Sequence, residues 1–193
     1  MKEFLAIATL MFWPVIPIFW IPLHFSIRLF RRLGIFTYIV PGIAWFPVAY
    51  LIWTHRHFLL KIAINFPLYV NIAGLILLIS GTILHIWTIK LLGFGTIIGL
   101  PEVFPEIKNK IINKGPFSVV RHPTYLAHTL MFSGVFLFTG FLSVGLVALL
   151  DFFAVNLIII PLEEKEMLER FGNVYKEYCK KVSSRFIPWL FHP

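Results

Sequence analysis

Four stretches of the chain, residues 4–23, 34–53, 66–92 and 124–160, are apolar nearly throughout. Each is as long as the roughly 20 residues a helix needs to cross a bilayer core, or longer. In hydrocarbon a backbone finds no water to bond, so such a stretch must satisfy its own N–H and C=O groups, as a helix does. Charge is correspondingly scarce: 13% of the 193 residues are charged, against about 25% in a soluble domain. The sequence predicts an all-α integral membrane protein.

The first stretch contains Pro14, Pro17 and Pro22, which predicts a kinked or broken helix. Lys2 is followed by Glu3 and no small-residue cleavage site ends the stretch, so it is read as a span and not a signal peptide. The second stretch is interrupted by Pro41 and Pro47, and the third is long enough to tilt or protrude. Residues 93–122 hold Gly93, Gly95, Gly99, Pro101, Pro105, Gly115 and Pro116, a density that excludes regular helix. The 37 residues between Pro123 and Pro161 would make a helix of about 55 Å, too long for one crossing. They read as two short spans joined near Gly140 and Ser143. Residues 161–182 are too polar to span. Leu168, Phe171, Tyr175, Tyr178 and Val182 recur at steps of three and four, giving an amphipathic helix with one apolar face. Glu163 and Glu164 fall in its first turn, with Glu166–Arg170 and Glu177–Lys181 spaced for surface pairing. The expected organisation is three spans over residues 1–92, then a second region over 93–193 made of a loop, a two-span hairpin and the tail helix.

Five spans put the termini on opposite sides. With the C-terminus inside, only Lys2, Arg56 and Lys61 of the 17 basic residues are left outside, and Lys108 joins the inner set. That satisfies the positive-inside rule and places the long loop in the cytoplasm of a multi-pass cell-membrane protein. The net charge of +8 flanks apolar blocks, so anionic headgroups are the expected partner and nucleic acid is not. Cys179 is the single cysteine, which rules out an intrachain disulfide. His55 and His57 have no carboxylate or cysteine near them in sequence, and no metal is expected. Asp151, inside an apolar span, should face a partner, with His128 a candidate.

The run Gly115-Pro116-Phe117-Ser118-Val119-Val120-Arg121-His122-Pro123-Thr124-Tyr125 carries the chemistry. Gly-Pro makes a tight turn that lets a ligand approach the backbone, and Pro123 suits the first turn of a helix. Arg121 and His122 then stand at a helix entrance beside free N–H groups, which suits an anion. A membrane-surface anchor, with snorkelling cations and a belt tyrosine, explains the same residues equally well. The acidic residues at the start of the tail helix are on their own ordinary.

Taken together, the two runs resemble the isoprenylcysteine carboxyl methyltransferase family. The matching residues are Gly115-Pro116, Arg121-His122-Pro123, Tyr125, Glu163-Glu164, Leu168, Phe171-Gly172, Tyr175, Tyr178 and the close from Arg185 to Pro188. The resemblance covers about the last 80 residues. It implies a site for S-adenosyl-L-methionine (product S-adenosyl-L-homocysteine) without a Rossmann domain, and a lipid or prenylated substrate entering from the bilayer. It places Gly115, His122, Pro123, Tyr125, Leu126 and Glu163 at the cofactor, with Arg121 and Glu164 the candidates for catalysis. Glu163 is expected on the ribose hydroxyls or the amino group, and His122 or Arg121 near the carboxylate. Phe117, Ala127 and Ser183 depart from the pattern, and Ile159 stands where eukaryotic members carry an arginine for the substrate carboxylate. The resemblance thus constrains the methyl donor more than the acceptor.

The implied activity is carboxyl methylation of an isoprenylcysteine-like lipid. A carboxylate is already ionised and needs no base; an amine acceptor would need one, such as Glu164 or His122. Three alternatives share the pattern: a phospholipid or amine N-methyltransferase, a sterol-type reductase using NADPH, and a non-enzymatic membrane protein.

Overall fold

The protein is described here from a computed structural model over residues 1–107 and 110–187. Lys108, counted with the inner basic residues by the charge rule, and Pro188 at the end of the motif lie outside the described residues. The elements that matter are α1 (Lys2–Phe25), α2 (Ile27–Leu33), α3 (Phe36–Thr54), α4 (Leu68–Leu92), α5 (Leu100–Val103), α6 (Pro123–Thr139), α7 (Leu142–Phe171) and α8 (Asn173–Lys181). Among the described residues there is no strand, only an isolated bridge between Ala63 and Phe141. Four helices, α1, α3, α4 and α7, are long and apolar enough to cross a membrane. The remaining expected span, α6, has 17 residues, at the lower edge of the usual range. The protein is an all-α integral membrane protein, and its surface agrees: α3 and α4 expose Ile39, Val40, Ile43, Phe46, Ile72, Ile76, Ile79 and Ile83, a face that suits lipid and not water.

The closest helix pair is α4 with α6. A Cβ added at Gly74 would lie 2.5 Å from the Phe138 nitrogen, and one at Gly134 would lie 2.5 Å from the Leu78 nitrogen. At Gly81 it would meet the Ala127 carbonyl at 2.8 Å. Small residues let two backbones approach where no hydrophobic drive distinguishes protein from lipid. Gly134→Ala is therefore expected to force the helices apart and cost about 1–3 kcal/mol, as overpacking does, seen as a lower melting temperature in detergent. The expected hairpin turn is found between α6 and α7, with Gly140 at φ 81°. It is pinned to the loop before α4 by Ile64 N–H to the Gly140 carbonyl at 2.8 Å and Leu142 N–H to the Ile62 carbonyl at 3.0 Å.

Proline behaves differently from expectation in three places. Pro41 and Pro47 lie inside α3 without interrupting it. The helix does not restart at Pro161, either: α7 runs from Leu142 to Phe171, and the chain breaks at Gly172, with φ 55°. The reason is a π-helical turn over Val155–Ile159. Its wider ring of atoms makes room for the pyrrolidine that follows. In α1 the same solution recurs, a π turn over Ile16–Trp20 followed by Pro22. The two π turns pack together, with Ile16, Val155, Ile159 and Ile160 in one buried cluster around Tyr125. Because α7 is continuous, Glu163 and Glu164 are not in a first turn with free N–H groups, and the helix-dipole argument for them does not hold.

The tail helix α8 buries Tyr175 and Tyr178, and Val182 follows them into the same cluster, against Ile111, Met167 and Phe171; Leu168, expected on this face, is exposed. Glu166 and Arg170 pair at 3.4 Å, but Glu166 is buried and not at the surface. Glu177 pairs with Lys180 at 2.8 Å in place of Lys181. Asp151 is fully buried, and neither of its oxygens makes a hydrogen bond to His128. The described residues between 93 and 122 form isolated turns over Phe94–Ile97, Leu100–Val103 and Gly115–Ser118, in keeping with their glycines and prolines.

Candidate active site

The loop before α6 and the chain after α8 are zipped together by their backbones. Arg121 N–H donates to the Ser184 carbonyl at 3.0 Å and His122 N–H to the Arg185 carbonyl at 2.9 Å. These amides are occupied, so they do not form the free N–H anion site expected at this helix entrance. Arg121 locks the joint with its side chain. Its Nε donates to Glu164 Oε1 at 2.8 Å, and Nη1 donates to the Val182 and Ser183 carbonyls, both at 2.7 Å. Glu164 also receives Arg185 Nη2 at 2.8 Å and lies 3.4 Å from His122 Nε2. Tyr178 Oη donates to the Phe117 carbonyl at 2.7 Å and anchors α8 on the Gly-Pro turn; burial holds its phenol above the ordinary value.

These contacts wall a cavity of about 210 Å³. His122 and Glu163 meet in its wall, with His122 Nδ1 3.7 Å from Glu163 Oε2, so residues some forty positions apart in sequence converge. Tyr125 stacks beside His122 with ring centres 5.9 Å apart. Of the expected site residues, Arg121, His122, Tyr125 and Glu163 line the cavity; Gly115, Pro123, Leu126 and Glu164 do not. Gly115 has φ 60°, and a Cβ there would meet Trp87 at 3.1 Å, so the group approaching this glycine is an indole of α4. Pro123 is fully buried at the start of α6, Leu126 packs in the apolar cluster under Tyr125, and Glu164 faces the zip.

Several lining residues come from elements the motif does not contain. Glu102 of α5 is paired with Arg170 of α7 at 3.1 Å, and Arg31 of α2 donates to the Glu102 carbonyl at 2.9 Å. Burial pushes the Glu102 carboxyl up, and Arg170 pulls against that shift. His24 stacks on Trp20 with centres 5.6 Å apart. His85 of α4 and His128 of α6 complete the wall. Buried polar atoms without a hydrogen-bond partner gather here: both ring nitrogens of His24, Nδ1 of His85 and of His128, Glu102 Oε2, Glu163 Oε2, and Nε and Nη1 of Arg170. A buried polar atom left unmade costs about 1–3 kcal/mol, so this concentration makes the cavity the candidate site.

The family model described as phospholipid methyltransferase matches residues 69–174. The chain belongs to this family. The match takes in α4, α6 and α7, the helices that carry His85, His122 to His128, Glu163 and Arg170, so the phospholipid methyltransferase region and the walled cavity coincide. The protein is a multi-pass membrane protein of the integral-membrane methyltransferase superfamily, which also includes the isoprenylcysteine carboxyl methyltransferases that the motif resembles. A Delta(14)-sterol reductase of Mus musculus is 28% identical over 102 residues, covering 50% of this chain and 23% of that protein. The chain thus matches less than a quarter of the length of that curated relative.

Proposed function

We propose that the protein transfers a methyl group from S-adenosyl-L-methionine to a lipid-borne acceptor, in a site at the cytoplasmic membrane face. The observation that carries this is the cavity where His122 and Glu163 meet, with its mixed set of unpartnered acids and bases. S-adenosylmethionine brings an ammonium, two ribose hydroxyls and a carboxylate on a cationic sulfonium. Glu163 and Glu102 each keep a free carboxylate oxygen to accept from the ammonium or the hydroxyls, and Arg170 keeps two nitrogens, Nε and Nη1, free to donate to the carboxylate. Arg121, expected near that carboxylate, has its Nε and Nη1 engaged by Glu164 and the tail carbonyls, so Arg170 is better placed to bind it. Trp20, Phe117, Tyr125 and Tyr175 supply ring faces for the adenine. Bound there, the cofactor supplies an electrophilic methyl group. The protein aligns the acceptor with it and excludes water.

The distribution of basic residues supports a cytoplasmic site and five crossings. An isoprenylcysteine-like carboxylate is the acceptor the motif suggests, and an amine headgroup is the one the family suggests. The second reading is a sterol-type reductase using NADPH, favoured by the 28% match. NADPH is a polyanion, and the free carboxylate oxygens of Glu102 and Glu163 would repel it. Calorimetric titration of the purified protein with S-adenosylhomocysteine and with NADPH separates the readings. Binding of the first alone is expected. Binding of NADPH alone would make the chain a reductase, and binding of neither a non-enzymatic scaffold.

A further inference from the structure

At the end of the bundle away from the cavity, α1 and α3 leave a groove between them of about 520 Å³. Glu3 and His24 stand near the two ends of α1, about 30 Å apart along the helix, which is the thickness of a bilayer core. His24 lines the cavity and Glu3 lines the groove, so the two lie at opposite membrane faces. The groove is walled by Phe4, Ile7, Met11, Phe12, Trp45 and Trp53, and its charged groups, Glu3, Arg56 and His57, gather at one end. At the other end Trp45 ties α3 to α1. Its Nε1 donates to the Met11 carbonyl at 2.7 Å, and its ring lies 6.4 Å from that of Phe12. From Glu3 to Phe12 the groove follows α1 for about 14 Å, roughly the depth of one leaflet of the core. α3 is the least buried of the four long helices. An apolar crevice left void in hydrocarbon forfeits the dispersion contacts of its walls, and a lipid tail restores them.

The charged end says which lipid. Arg56 is held in position: Nη1 donates to the Trp53 carbonyl at 2.9 Å, and Cζ lies 4.6 Å from the centre of the Trp53 ring. Among the described residues neither Arg56 nor Glu3 makes an ion pair. A cation and an anion therefore face one groove without neutralising each other. We propose that the groove holds one phospholipid with a zwitterionic headgroup, its tail along α1, its phosphate on Arg56 and its ammonium toward Glu3. A zwitterion matches both charges. An anionic headgroup brings like charge to Glu3, and a fatty acid satisfies Arg56 alone. The lipid joins α3 to α1 and is not a methyl acceptor, because the cavity lies at the other face. This holds whatever chemistry the cavity performs.

The test uses the full chain in detergent, titrated with phosphatidylcholine, phosphatidylglycerol and oleate and read by native mass spectrometry. One phosphatidylcholine per chain is expected to survive the activation that strips other lipids, and to bind more tightly than either competitor. Arg56→Ala should weaken it by roughly 10-fold or more, the worth of a charge-assisted hydrogen bond. Glu3→Gln should cancel the preference for phosphatidylcholine over phosphatidylglycerol. Ala8→Trp, which fills the groove with an indole, should abolish retention. Circular-dichroism melts show that each variant is folded. A phosphatidylcholine with a photoactivatable tail maps the site on the unsubstituted chain, and its label should concentrate on residues 4–12 and 45–60. The proposal is overturned by label spread evenly over the lipid-facing sides of α3 and α4, by phosphatidylglycerol or oleate binding as tightly as phosphatidylcholine, or by folded Arg56→Ala and Ala8→Trp variants that retain the lipid unchanged. A dimer in nanodiscs that Ala8→Trp breaks would also overturn it, by seating a second copy of the chain on this face.

Discussion

Glu163→Ala should lower S-adenosylhomocysteine affinity by roughly two orders of magnitude while leaving the protein at least as stable as before. Glu163 Oε2 is buried and has no hydrogen-bond partner, and its nearest basic group, His122 Nδ1, is 3.7 Å away, beyond a good hydrogen bond. In the ligand-free protein one carboxylate oxygen is therefore cut off from water with no strong partner, while the side chain as a whole stays 27% exposed. Removing it relieves that cost, so the melting temperature should hold or rise. The ligand loses an acceptor whose hydrogen bonds are charge-assisted, each worth about 1.5–3 kcal/mol; about 3 kcal/mol corresponds to roughly 150-fold in affinity. Calorimetry gives the affinity and a thermal melt gives the stability. A binding residue moves the first and spares the second, as expected where stability is sacrificed to function. If stability falls and affinity does not, Glu163 belongs to the scaffold and the site has been placed wrongly.

Much of this site can be read from the chain alone, and the parts that cannot share a physical cause. Arg121, His122, Tyr125 and Glu163 lie in two compact runs, and their convergence follows from the α6–α7 hairpin, which brings the chain back to the level at which α6 begins. The apolar blocks give the spans for the same reason: lipid demands long helices. The facing of side chains is another matter. A π turn adds a residue to one turn and rotates everything after it. A helical wheel drawn along α7 therefore loses register at Val155–Ile159, and the one started at Pro161 runs through the break at Gly172 and puts Leu168 on the buried face when it is exposed. Arg170, read as one half of a surface pair, lines the cavity instead. Glu102 and His24 join through α5 and α1, which lie outside the motif and meet α7 only once the chain has folded, Glu102 through its pair with Arg170. The available signal was weaker: ionisable groups at the edges of apolar spans, such as His24, His85 and His128, are functional candidates by default. Periodicity does not say which of them share a wall.

The neighbouring carboxylate should behave in the opposite way. Glu164 was expected to act in catalysis, yet it faces away from the cavity and holds three basic groups: Arg121 at 2.8 Å, Arg185 at 2.8 Å and His122 at 3.4 Å. The Arg121 side chain is 7% exposed, so Glu164→Ala leaves a guanidinium nearly out of water with only the Val182 and Ser183 carbonyls as partners. Breaking a buried pair from one side costs about 3–5 kcal/mol. In a chain of 193 residues that corresponds to a fall in melting temperature of roughly 10 °C. The damage should be local at first. Residues 182–187 are held to the loop by the backbone bonds of Arg121 and His122 and by this side-chain lock, so their amides should exchange with deuterium much faster in the variant while those of α4 and α6 stay protected. Glu164→Gln, which keeps an acceptor oxygen but no charge, should fall between. Arg121→Lys should not rescue, because an ammonium lacks the planar fork that reaches a carboxylate and two carbonyls together. S-adenosylhomocysteine binding would weaken in step with tail release, since Tyr175 and Tyr178 of α8, the helix that runs into the released segment, form part of the cavity wall. A variant that keeps the tail protected and the melt unchanged, yet loses turnover with bound cofactor, would return Glu164 to the reacting atoms.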